Sequence, residues 1–117
     1  TGASGVQVIQ EAGRIASHLT VFQRTPNLAL PMRQQALDEP MQLAMKASYP
    51  EVFRQRAESA GGLHDIKSDE RSAVDVSAKE RLALFETTWQ KGGFHFWGSS
   101  FHDILLDKDS NQFASEF

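Results

Sequence analysis

The chain has 117 residues, 40% of them hydrophobic, with 12 basic against 15 acidic side chains and no cysteine. That length is about one domain's worth, and a net charge of −3 with no basic stripe argues against a nucleic-acid partner. Without cysteine there is no disulfide framework, thiolate metal site or thiol nucleophile; no apolar run approaches the roughly 20 residues that span a bilayer, so the expectation is a cytoplasmic protein with no membrane partner.

The chain opens on TGASGVQVIQ, and from Gly5 to Ala16 the apolar residues Val8, Ile9, Ala12, Ile15 and Ala16 recur every three or four positions, the pattern of an amphipathic helix. In HLTVFQR, Leu19, Val21 and Phe22 with Thr20 form a β-rich run, which predicts one short strand ending at Gln23. RTPNLALPM carries two prolines and reads as a connecting loop. Asp38 is placed to cap a helix with Pro40 in its first turn, running toward Ala47. Pro50 predicts a kink or break, with Ser48 capping a second helix through Val52, Phe53 and Ala57 to Gly61.

Gly61 to Asp75 is polar and without period, which predicts a loop or a poorly ordered excursion. SAKE, Ser77 to Glu80, has the spacing of a capping box; its helix carries Leu82, Phe85 and Trp89 on one face and stops at Gly92 and Gly93. FHFWGSSFHDILL is dense in aromatics and follows no period, and Asp109 is positioned to cap a last helix. The expected fold is mainly α with one short β-strand.

Few residues carry chemistry. The histidines His18, His64, His95 and His102 lack the spacing of metal ligands and fit packing or surface roles. Ser99 and Ser100 lie beside His102 and Asp103 in sequence, but a catalytic triad is assembled from separate parts of a fold. No carboxylate pair stands in an apolar setting, so no catalytic residue and no metal is assigned.

Gly2, Ala3, Ser4 and Gly5 match the last two glycines of a GxGxxG fingerprint. There the backbone approaches a pyrophosphate and a helix N-terminus offers free amides to it. Roughly 20 residues on, where such a fold holds the adenosine ribose, stand Gln23, Arg24 and Thr25. A forked guanidinium and a hydroxyl there favour the extra phosphate of NADP over NAD. The competing reading makes the glycines a flexible remnant and Arg24 one exposed arginine. Phe94, Phe96, Trp97 and Phe101 read from composition as core.

TGASGVQVIQ, LTVFQRTPN and PMR, in this order, resemble the second nucleotide-binding motif of the Baeyer–Villiger monooxygenases of the cyclohexanone and phenylacetone type. ERLALFETTWQKGGFHFWGSSFHDILLDKDSNQFASEF is similar to the helical insertion of their NADPH domain. The resemblance implies a partial Rossmann (α/β) NADPH-binding unit over 1–33, lacking its first strand, and a helical insertion subdomain over 34–117. It implies that Thr1, Gly2, Ala3, Ser4, Gly5, Val6 and Gln7 face the NADPH pyrophosphate. Arg24 and Thr25 would grip the 2′-phosphate, and Phe94 and Phe96 would form part of a substrate-pocket wall.

The family also binds FAD, at a site outside this stretch, and oxidises ketones to esters or lactones. On this resemblance the chain is a piece of a larger flavoenzyme, cut between the first and second glycines, with the remainder of that enzyme as its partner. Alone it would bind NADPH weakly and be inactive, and its exposed strand would invite a homodimer. The alternatives are a small helical interaction module, or a piece of a related flavin monooxygenase acting on nitrogen or sulfur.

Overall fold

The computed structural model describes residues 2–25 and 28–117. Among the described residues five helices follow in order: α1 (Ala3–Ile15), α2 (Glu39–Glu58), α3 (Ala78–Lys91), α4 (His95–Gly98) and α5 (Lys108–Glu116), with a 3₁₀ turn at Ala60–Gly62. Among the described residues the β pairing found is a single parallel bridge between Asp69 and Phe101. The chain is therefore mainly helical with almost no strand.

α3 starts where its capping chemistry says it should. The Ser77 hydroxyl oxygen accepts from the Glu80 amide at 3.3 Å, and the Glu80 carboxylate accepts from the Ser77 amide at 3.1 Å. Its buried face differs from the predicted one by a small rotation. Phe85 and Thr88 are buried, Arg81, Leu84 and Trp89 are partly buried, and Leu82 is 49% exposed.

The core lies in the C-terminal half and is largely aromatic. Phe85 and Phe96 meet at 5.4 Å between ring centroids, Phe85 and Phe101 edge-on at 5.7 Å, and Trp89 and Phe96 edge-on at 5.9 Å. Phe117 stacks on Phe96 at 5.7 Å, and the Arg81 guanidinium sits 3.6 Å over the Phe113 ring. Fully burying one such side chain is worth about 1.5–3 kcal/mol, so these rings dominate the favourable side of folding here.

A buried carboxylate ties this core to the segment before α3. Asp103 accepts from the Ser72 hydroxyl, from the Ser110 hydroxyl at 2.8 Å and from the Ala73 amide at 3.2 Å. The Asp69 amide donates to the Ser100 carbonyl at 2.9 Å, and the His102 amide donates to the Asp69 carbonyl at 3.0 Å. Of the two expectations for Gly61 to Asp75 these bonds favour the loop over the poorly ordered excursion: residues 69–75 are irregular yet fixed, because their polar groups find partners about 30 positions downstream that no local pattern announces. A smaller correction falls on α5, whose cap is Asp107 rather than Asp109. The Asp107 carboxylate accepts from the Asp109 and Ser110 amides at 3.0 and 2.9 Å.

Two further expectations fail in the N-terminal half. Leu19–Gln23 is not a strand: no described backbone group bonds to it, and Phe22 is 91% exposed. β-propensity supplies an extended shape, but a ladder needs a second chain segment alongside. α2 runs unbroken through Pro50, and Ser48 is no cap, since its hydroxyl donates to the Met45 carbonyl at 2.8 Å. A proline removes one amide donor, leaving the Lys46 carbonyl without its helical partner, while the other bonds persist. Arg54 bridges Glu51 and Glu58 at 2.6 and 2.7 Å just beyond it.

Neither α1 nor α2 buries a residue. The radius of gyration is 17.6 Å, against about 13 Å for a compact chain of this length. The accessible surface is 8995 Å², against about 6,300 Å² for a compact protein of this mass. The molecule is thus a packed C-terminal half carrying an open N-terminal half with exposed apolar side chains.

Candidate functional site

The first turn of α1 is bare. Gly2 stands at the N-cap in extended conformation with no side-chain cap, no acidic residue occupies the first turn, and the Val6 amide donates back to the Gly2 carbonyl at 3.1 Å. The amides ahead of Val6 in that turn have no helical acceptor. With the positive end of the helix dipole behind them they suit an anion, so the turn fits the pyrophosphate of a dinucleotide.

Beside this turn lies an open cleft of about 780 Å³. One side is Gly2, Ala3, Val6, Gln7 and Gln10; the other is the loop Leu28 to Met32 with Gln34. Of the residues predicted at the nucleotide, the cleft brings together Gly2, Ala3, Val6 and Gln7. Ser4 and Gly5 share their turn without lining the cleft. Arg24 and Thr25 are exposed in a bend after the unpaired segment Leu19–Gln23 and do not line it either. Arg24 makes no ion pair among the described residues. Thr1 lies outside the described residues.

The loop 28–34 was missed as a wall in the sequence, although PMR and the paired glycines were visible there. It has two faces. Leu28, Ala29 and Leu30 line the cleft beside α1 and also a second cavity of about 120 Å³, which they share with Trp89, Phe96, Trp97 and Phe117. Phe96 is 2% exposed and belongs to the core, whereas Phe94 is 55% exposed and its ring closes over Gly98. The two phenylalanines predicted as one wall therefore face different surroundings.

Ionisable groups take structural roles. His102 Nδ1 lies 3.1 Å from the Arg71 carbonyl while Asp103 turns inward to its serines, so the neighbouring His and Asp diverge. Burial pushes the Asp103 carboxyl up, but the bonds from Ser72, Ser110 and Ala73 outweigh it and hold the group below its ordinary value. Asp65 sits 3.3 Å from His95 Nε2 and 3.8 Å from His64 Nδ1. Among the described residues no cluster of three or more His, Cys, Asp or Glu is suited to a metal, and no helix is long and apolar enough to cross a membrane.

Along its whole length the chain matches flavin-dependent monooxygenases, and within them the Baeyer–Villiger enzymes. It is 44% identical over 117 residues to the cyclopentanone 1,2-monooxygenase of Comamonas sp. (strain NCIMB 9872), covering all of this chain and 21% of that protein. To the phenazine N-monooxygenase PhzNO1 of Lysobacter antibioticus it is 35% identical over 120 residues, covering 100% of this chain and 22% of that one. The structure superposes on that of OTEMO in complex with FAD and NADP with a TM-score of 0.90 at 36% identity, covering 100% of this chain and 22% of OTEMO. No protein-family model matches the chain. The chain spans about a fifth of the length of the curated relatives it matches.

Proposed function

We propose that this chain is the NADPH-binding segment and helical insertion of an FAD- and NADPH-dependent Baeyer–Villiger monooxygenase that converts ketones into esters or lactones. The observation that carries it is the whole-length match to a structure solved with FAD and NADP. Residues 1–33 are a partial Rossmann unit and 34–117 the helical insertion. Thr1 to Gln7 face the pyrophosphate with the free amides of α1, and Arg24 with Thr25 holds the 2′-phosphate as a bidentate clamp. Phe94 lines the substrate pocket from its rim, and Phe96 supports that wall from the core. FAD is held by parts of the flavoenzyme outside this chain.

The surplus of exposed apolar surface on α1, α2 and Leu19–Phe22 supports a reading in which the remainder of the flavoenzyme packs there. A second copy covering the unpaired segment Leu19–Gln23 is the other occupant of that surface. Light scattering separates the two, since a monomeric chain at high concentration rejects the homodimer.

The test is made in the full-length flavoprotein. Arg24→Ala raises the Kd for NADPH about tenfold or more, leaves the weaker binding of NADH unchanged, and wild type yields an ester or lactone from a ketone by mass spectrometry. Equal use of NADH and NADPH by wild type overturns the assignment. The isolated chain binds NADPH weakly and oxidises none, so micromolar affinity in calorimetry contradicts that part. The similarity to a phenazine N-monooxygenase favours one second reading, oxidation at nitrogen. An N-oxide in place of the ester decides for it.

A further inference from the structure

The loop 28–34 forms the far wall of the cleft beside α1, and the end of α3 holds it there. The Gly93 amide donates to the Pro31 carbonyl at 2.9 Å. Gly92 adopts φ +77° and ψ 178°, a region open in practice to glycine alone. A Cβ on Gly92 would stand 2.4 Å from Arg33 Cγ and 2.9 Å from the Pro31 carbonyl oxygen. Arg33 itself has φ +54°, an uncommon conformation for a residue with a side chain. A glycine-only backbone and a positive-φ arginine thus meet face to face, with no room between them for a side chain at position 92.

We propose that the contact between Pro31–Arg33 and Gly92–Gly93 is a positioning joint, by which the helical C-terminal half sets the width of the nucleotide cleft. It rests on the nucleotide reading of α1 and adds that Gly92 and Gly93, which do not line the cleft but back its wall at Pro31 and Met32, control affinity through the loop. With the loop docked, Leu28 to Met32 wall the cleft; with it undocked, the cleft loses one side. The apparent affinity then falls in proportion to the docked fraction. By linkage the nucleotide must stabilise the docked joint by the same factor.

Hydrogen exchange in the FAD-loaded full-length flavoprotein tests this without any substitution, using NADP⁺ as the probe. At NADP⁺ about a hundredfold above its Kd, protection of the Gly93 amide rises by up to about a hundredfold, because the open form cannot bind. Protection unchanged within about twofold while NADP⁺ binds overturns the joint and leaves the nucleotide site standing. Failure of wild type to bind NADP⁺ overturns both.

A pair of variants gives the second arm. Gly92→Ala weakens NADP⁺ binding about tenfold, with FAD content retained. Adding Arg33→Gly, which removes the two closest atoms and relaxes the positive φ, recovers a threefold part of that loss or more. Equal affinity of Gly92→Ala and wild type, or no recovery in the double variant, refutes the proposal.

Discussion

Asp103 accepts three hydrogen bonds at the edge of the core, and the cost of removing it follows from its partners. Asp103→Ala deletes the acceptor for two donors that solvent does not reach, the Ser110 hydroxyl and the Ala73 amide, both residues being 0% exposed. The third donor, Ser72, is only partly buried and turns to water. Each stranded buried donor costs about 1–3 kcal/mol, and part of this is returned because a carboxylate no longer has to be desolvated. The net loss is about 3 kcal/mol. Asp103→Asn keeps an amide oxygen in place and lets a serine hydroxyl reverse its bond, for about 1 kcal/mol. Urea unfolding followed by emission of Trp89 and Trp97, which sit at this core, reads both as a shift in midpoint at constant slope. An alanine variant within about 1 kcal/mol of wild type, or an asparagine variant as damaged as the alanine one, would show that the network carries no such weight.

The acid side of the stability profile follows from two carboxylates. The Asp69 pKa is lowered from 3.8 to about 2, first by the Arg71 guanidinium and then by the Arg71 amide, and Asp103 is lowered as described. Both folded values lie below the unfolded ones, so this stability is complete above pH 3.8 and is lost as pH falls toward about 2. A flat unfolding midpoint across that window contradicts it, and Arg71→Ala should move the Asp69 titration back toward 3.8 by NMR. Ser77→Ala, which opens the capping box of α3, should cost about 1 kcal/mol in the same urea experiment, and no measurable loss would refute the cap. Pro50→Ala should raise helical circular dichroism, since an interior proline costs about 3 kcal/mol relative to alanine. Because α2 buries nothing, the tryptophan-detected midpoint should stay where it is, and a shift there would mean that α2 packs on the core after all.

How much of this was legible depended on the range of the forces involved. The α3 capping box and the Asp38 cap were visible because Ser77 and Glu80, or Asp38 and Met41, lie one helical turn apart and settle their bonds locally. The uncapped start of α1 was visible for the same reason: glycines at the head of an apolar helix leave its amides free. Leu19–Gln23 misled because β character is a property of pairs of segments, and one run of Leu, Thr, Val and Phe says nothing about a partner. Asp103 was hidden among histidine and serine neighbours that suggested chemistry. Two of its three partners, Ser72 and Ala73, stand 31 and 30 positions away.

The candidate site shows the same division on a larger scale. Gly2, Ala3, Val6 and Gln7 were named in the sequence and line the cleft, Arg24 and Thr25 were named and do not line it, and the wall opposite α1 came from a loop whose prolines suggested only a connection. What turns that loop into a wall is the end of α3. Glycines at 92 and 93 let the backbone turn under Pro31 and Arg33, and the aromatic cluster gives Leu30 something to rest on. PMR and the two glycines were each legible, but their contact joins residues some 60 positions apart. A helix C-terminus that reads as ordinary punctuation is then also a support for the wall of the cleft beside α1. It follows that substitutions at Gly92 should be felt at α1 before they are felt in the core, the reverse of what the position of Gly92 at the end of a core helix suggests.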